Sequence, residues 1–165
     1  EDVGAVGARM YYEDGTLQHG GVIIGLGGVA GHAFLGMDGD SPGYFARAQV
    51  IHDLSAVTAA CMMIKKQVYE EVGGFDPKFA VAFNDVDLCL KIRKAGYLIV
   101  YNPYAELYHY ESKSRGLEDT PEKVARFNRE ISVFEKRWPD ILRNGDPYYN
   151  PNLTLKSQDF SLKRI

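Results

Sequence analysis

The stretch from Glu70 to Lys91 constrains this chain most. It reads Glu70-Glu71-Val72-Gly73-Gly74-Phe75-Asp76 and then Phe83-Asn84-Asp85-Val86-Asp87-Leu88-Cys89-Leu90-Lys91. A glycine pair stops one helix, and a second helix starts with two carboxylates in its first turn. Backbone N–H groups and the positive end of the helix dipole both favour an ionised, fixed carboxylate there. Such a group can serve as a general base or hold a cation, whereas spacing alone describes an ordinary capped helix start.

The flanking text alternates between strand and helix patterns. Val3 to Tyr12 reads as a strand, followed by the turn signal Glu13-Asp14-Gly15-Thr16. Leu17 to Leu26 reads as a second strand, and Gly25 to Tyr44 as a long glycine-rich loop. Ala56 to Ile64 is apolar on both faces and predicts a buried strand. Lys66 to Val72 predicts a short helix, and Asp85 to Ala95 a longer one with Asp85 as its cap. Tyr97 to Tyr101 follows as a strand, Asn102-Pro103 as a turn, and Ala105 to Tyr110 as another extended piece. Thr120-Pro121-Glu122 opens a helix over Pro121–Trp138, with Val124, Phe127, Ile131 and Phe134 as its apolar stripe and Pro139 as its stop. The expected class is α/β, a partial domain with a mixed sheet and flanking helices.

A chain of 165 residues can bury one sizeable core. The net charge of -3, with Lys and Arg scattered, gives no nucleic-acid surface. The two cysteines, Cys61 and Cys89, sit in apolar runs and read as buried thiols of a reducing compartment. No apolar run approaches the roughly 20 residues that span a bilayer. Asp38-Gly39-Asp40 reads as turn chemistry, and Gly25-Leu26-Gly27-Gly28 misses the spacing of a dinucleotide loop. Tyr148, Tyr149 and Trp138 could stack on sugar faces, with core packing the plainer role for Trp138.

The chain resembles the C-terminal, acceptor-side half of the family 2 glycosyltransferases, which have a GT-A (Rossmann-like) fold. The resemblance rests on Gly73-Gly74-Phe75, Asn84-Asp85-Val86-Asp87-Leu88, Ala95-Gly96-Tyr97, Pro103 and the segment ending at His109. Asn84 stands where the family usually has Glu, and the family's nucleotide-binding half with its Asp-x-Asp motif is missing. The resemblance implies an inverting transfer of a sugar from a nucleotide-sugar donor to a hydroxyl of a glycan or glycosylated acceptor, in bacterial polysaccharide or glycoprotein synthesis. Asp85 would be the base, and Asp87, Asn84, Gly73, Gly74 and His19 would lie on the acceptor side. His32 in the glycine-rich loop could line the same pocket. His109 and Arg115 could reach a metal or the diphosphate, although a polar loop residue is the plainer reading of Arg115. A divalent cation, Mg or Mn, would be bound mostly by the missing half.

Taken so, residues 1–165 are the acceptor-side part of a catalytic domain, little active alone, and placed in the cytoplasm or at the inner face of the membrane. A sheet that lacks part of its strands predicts self-association. The alternative is a stand-alone carbohydrate-binding module that does no catalysis and whose binding survives Asp85→Asn. A metal-dependent hydrolase built on Asp85, Asp87 and His109 has no firm third ligand at a usual spacing.

Overall fold

The computed structural model describes residues 2–110 and 120–164. In chain order it holds strands β1 (Val3–Tyr11), β2 (Leu17–His19), β3 (Val22–Ile24), β4 (Ala30–His32), β5 (His52–Leu54) and β6 (Met62–Ile64). Helices α1 (Lys66–Glu71) and α2 (Asn84–Lys94), strand β7 (Leu98–Tyr108) and helices α3 (Pro121–Arg137) and α4 (Pro139–Asn144) complete it. β1 is central to a mixed five-stranded sheet. One side of β1 runs parallel to β7, and the other is shared by antiparallel β6 and β2. β5 closes the far side, antiparallel to β7, while β3 and β4 form a separate antiparallel pair. This is the α/β architecture of a partial Rossmann-like, GT-A-type domain.

Burial explains how α2 is held. Val86, Leu88, Cys89, Leu90 and Ile92 join Ile99, Tyr101 and Val57 in one core. β1 carries glycines where its neighbours pack closest: Gly4 faces α2, and Gly7 faces the segment before β6. A Cβ on Gly4 would lie 2.6 Å from Ile92, and one on Gly7 2.5 Å from Val57. A second core lies under the tail, where the Phe160 ring stacks 4.5 Å from Phe34 and Tyr149 packs with Leu153. Asp146 fastens that tail, accepting from Ile24 N–H at 2.8 Å and from the Ser55 hydroxyl at 2.6 Å. No helix among the described residues is long and apolar enough to cross a membrane.

Several local expectations need correction. Leu17 to Leu26 is not one strand: it breaks between His19 and Val22, and the halves join different sheets. The turn there needs Gly21, whose φ is 104°. The glycine-rich loop contains β4, which pairs with β3. In the run Ala56 to Ile64 only Met62–Ile64 is strand, and Met63 is 78% exposed. Ala56 makes only a single bridge to Val22 and Val57 lies outside any strand, yet both are buried, so apolarity there reports the core rather than a continuous strand. Cys89 is buried and its thiol is pushed up to about 12 by burial, but Cys61 is only half-buried, in a 3₁₀ turn over Ala59–Cys61.

β7 continues straight through Asn102-Pro103. Ala8 pairs with Asn102 and the next residue, Arg9, with Glu106, so the proline lies in a bulge where a missing N–H costs no ladder bond. Phe83 caps α2 instead of Asp85, with a left-handed φ of 61°. Pro139 both ends α3 and opens α4, at the position where its ring fits a first helical turn. Tyr149 is a core residue whose hydroxyl donates to Thr154 O at 2.7 Å, and Tyr148 lies under the Arg93 guanidinium.

Candidate functional site

The loop before α2 is built by a helix far along the chain. Glu130 of α3 is only 3% exposed. Its carboxylate accepts the backbone N–H groups of Ala80 (2.9 Å), Val81 (3.2 Å) and Ala82 (2.8 Å). Charge-assisted bonds of this kind fix the path of the chain into Phe83 and Asn84. The Asn84 side chain then accepts from Asp85 N–H at 2.7 Å.

Asp85 is half-buried at the start of α2. One carboxylate oxygen accepts from Val86 N–H at 2.9 Å, the other from Ala59 N–H at 3.0 Å. Each oxygen keeps acceptor capacity for a further proton donor. α2 and β7 are joined by a tight turn and run in opposite directions, so the N-terminus of α2 faces the carboxyl-end half of the parallel β1–β7 pair. Open α/β sheets place their ligands at that edge.

The neighbouring peptide links Asp85 to a histidine pair. Thr58 N–H donates to His19 Nε2 at 3.4 Å, one residue before the Ala59 N–H that holds Asp85. A neutral His19 accepting at Nε2 carries its proton on Nδ1, which lies 2.9 Å from His32 Nδ1 and donates to it. His19 is completely buried. Burial, and then the nearby His32 and His109, hold its pKa well below the ordinary histidine value. His109 follows β7, donates its N–H to Tyr11 O at 2.9 Å, and has a buried Nδ1 with no partner among the described residues. His19, His32 and His109 therefore share one region with Asp85.

The other residues expected at the site are placed differently. Asp87 has no exposed surface. It accepts from Arg137 Nη1 at 3.0 Å on both oxygens and from Trp138 Nε1 at 2.9 Å, with Lys91 Nζ at 3.8 Å. Arg137 also donates to Asp76 at 2.6 Å, so α3 ties the glycine turn to α2. Gly73 and Gly74 end α1 with φ of 77° and 60°, and the Gly74 carbonyl accepts from Lys91. That contact lies toward the other end of α2 from Asp85. Arg115 lies outside the described residues.

Among the described residues no group of three or more His, Cys, Asp and Glu side chains could hold a metal ion. His109 Nδ1 offers one ligand position and no set around it.

Glu130, Arg137 and Thr58 escaped the sequence reading. A signal existed for the first two: they lie on one stripe of α3 with Phe134, which is fully buried, while Val124 and Phe127 are 45% and 39% exposed. Nothing local marks Thr58.

Residues 43–129 match the family described as glycosyltransferase like family 2. An uncharacterised protein of Sinorhizobium fredii, y4gI, is 55% identical over 163 residues, covering 97% of this chain and 18% of that protein. The O-antigen biosynthesis protein RfbC of Myxococcus xanthus is 37% identical over 164 residues, covering 99% of this chain and 12% of that protein. An N-acetylglucosaminyl-diphospho-decaprenol L-rhamnosyltransferase of Mycobacterium tuberculosis is 32% identical over 78 residues, covering 47% of this chain and 25% of the enzyme. The chain thus spans less than a fifth of the first two relatives.

Proposed function

The chain belongs to the glycosyltransferase like family 2, and from that premise we propose that it supplies the acceptor side of an enzyme that moves a sugar from a nucleotide-sugar donor to a glycan hydroxyl. Two relatives are named for O-antigen biosynthesis and for rhamnosyl transfer, which supports surface-polysaccharide synthesis as the setting. The transfer inverts the anomeric centre in a single displacement. Asp85 is the general base: it takes the acceptor proton as the oxygen attacks the anomeric carbon and the nucleoside diphosphate leaves. Asn84 and the Thr58–Ala59 peptide orient Asp85, and residues 1–165 act with a donor-side segment in the cytoplasm, at the membrane's inner face.

The observation that supports this most is the anchoring of Asp85. Its carboxylate is held by two backbone N–H groups at a helix start and leaves its remaining lone pairs unclaimed by other described side chains. The experiment is Asp85→Asn in the longer protein, with nucleoside diphosphate release as the readout. Loss of a base predicts a fall of about 10²–10⁴-fold in kcat with little change in donor KM. A variant within a fewfold of wild type overturns the assignment of the base. Retention of anomeric configuration in the product, read by NMR, overturns inversion.

A further inference from the structure

A second opening lies beyond the site described above, where β1 and β7 end side by side. It is a cleft of about 490 Å³ lined by Tyr11, Asp38, Asp40, Glu106, Leu107 and Tyr108. Tyr11 and Tyr108 are register partners, their rings 5.8 Å apart and tilted by 43°. Tyr108 is 57% exposed, so a large aromatic face meets solvent there.

The walls are fixed before any ligand arrives. Tyr11 donates its hydroxyl to Glu106 at 2.6 Å. Arg9, only 6% exposed, donates to the Gly39 carbonyl and lies 3.6 Å from Glu106. It thereby joins the Asp38–Asp40 turn to β7, and its Nε has no partner among the described residues. Gly39 itself is wedged: a Cβ there would lie 2.3 Å from Gly15 O and 3.2 Å from the Tyr11 ring. Leu17 N–H to Met37 O (2.8 Å) and Gly36 N–H to Leu17 O (2.7 Å) pin the same loop to β2.

This combination selects a ligand class. Aromatic faces take the apolar C–H face of a pyranose ring, and carboxylates accept from its hydroxyls. Three carboxylates against one buried guanidinium leave the wall negative, which repels phosphate and nucleoside diphosphate. The carboxylates do not converge as a metal site. The cleft adjoins the Asp85 region, since His109 follows Tyr108 directly and lies near His19.

We infer that this cleft is a binding subsite for an uncharged sugar unit of the acceptor glycan, separate from the reacting hydroxyl at Asp85. The inference rests on the acceptor-side reading above and deepens it: the acceptor is an oligosaccharide of which at least one further residue is held by the Tyr11–Tyr108 pair.

The test is binding of residues 1–165 to an array of bacterial surface polysaccharides, with Tyr108→Ala and Asp40→Asn as variants and UDP as competitor. Both substituted side chains are exposed, so the fold is retained, and circular dichroism verifies that. Wild type is expected to bind at least one neutral glycan, Tyr108→Ala to weaken that binding at least about tenfold, and UDP to leave it unchanged. Absence of neutral-glycan binding, binding insensitive to both cleft variants, or displacement by UDP overturns the inference. Failure here leaves the Asp85 turnover test standing, and a fully active Asp85→Asn leaves this binding test standing, so the two readings fail separately.

Discussion

The two first-turn carboxylates of α2 should respond very unequally to the same change. Asp87→Asn removes a charge that has no exposed surface and that receives Arg137 and Trp138. The new amide group would point a donor at the guanidinium or at Lys91. Breaking a buried pair from one side costs about 3–5 kcal/mol. The Arg137 side chain is 27% exposed and keeps Asp76, so part of that cost is relieved by water and by the remaining partner. An expected loss of about 2–4 kcal/mol follows, equivalent to a Tm lower by about 5–15 °C in a domain of this size. Asp85→Asn keeps one acceptor oxygen, is half-buried, and should cost under about 1 kcal/mol. Urea melts of both variants and a double-mutant cycle with Arg137→Met measure this. The Asp87–Arg137 coupling should exceed about 1 kcal/mol. If Asp87→Asn melts with wild type, or if its loss is additive with Arg137→Met, the structural assignment of Asp87 is wrong.

Three further outcomes are expected. His19 is held neutral by burial and then by its neighbouring histidines, so the unfolded chain takes up a proton near the ordinary value of 6.5 while the folded chain does not. Its stabilising contribution is full above that value and falls as the pH drops below it, by up to about 1.4 kcal/mol per pH unit, until the folded pKa is passed. A series of urea midpoints should show this slope flattened in His19→Gln, and an equal slope in that variant would count against the buried neutral imidazole. Glu130→Gln keeps one acceptor oxygen but sets an amide N–H against the loop at Ala80–Ala82. It should cost about 1–3 kcal/mol and speed amide exchange at those residues, and unchanged protection there would refute the clamp. Gly7→Ala places a methyl within 2.5 Å of Val57 and should cost about 1–3 kcal/mol, largely recovered by Val57→Ala. A double variant no more stable than Gly7→Ala would show that the clash lies elsewhere.

Much of the scaffold was legible because its signals are local. Thr120 accepts from Lys123 N–H at 3.3 Å, and Pro121 takes the first position of α3. In the turn after β1, Asp14 accepts from both the Thr16 amide (2.9 Å) and hydroxyl (2.7 Å). Illegible features were those set by distant partners. β5 has only three residues, His52–Leu54, and owes its strand state to pairing with β7. Buried Glu130 contradicts the polar-out rule because Ala80–Ala82 provide three N–H donors to offset its desolvation. At the candidate site the same division holds. Asp85 is found from its place in the helix, whereas its link to His19 runs through Thr58 and Ala59, residues with no distinguishing pattern around them.

Helix geometry accounts for the division of labour between the two acids. Residues two apart on an α-helix are separated by about 200° around its axis, so they cannot face one ligand. One of the pair must turn toward the core when α2 packs on the sheet. The core side needs a compensating cation, and α3 brings Arg137 to it; the other side is left half-exposed to solvent. Arg137 therefore reports which acid is structural. Any relative with the same Asp-x-Asp-Leu helix start faces the same constraint. Where a cation from the following long helix reaches the second Asp, that residue anchors the fold, and the search for a base should begin at the first.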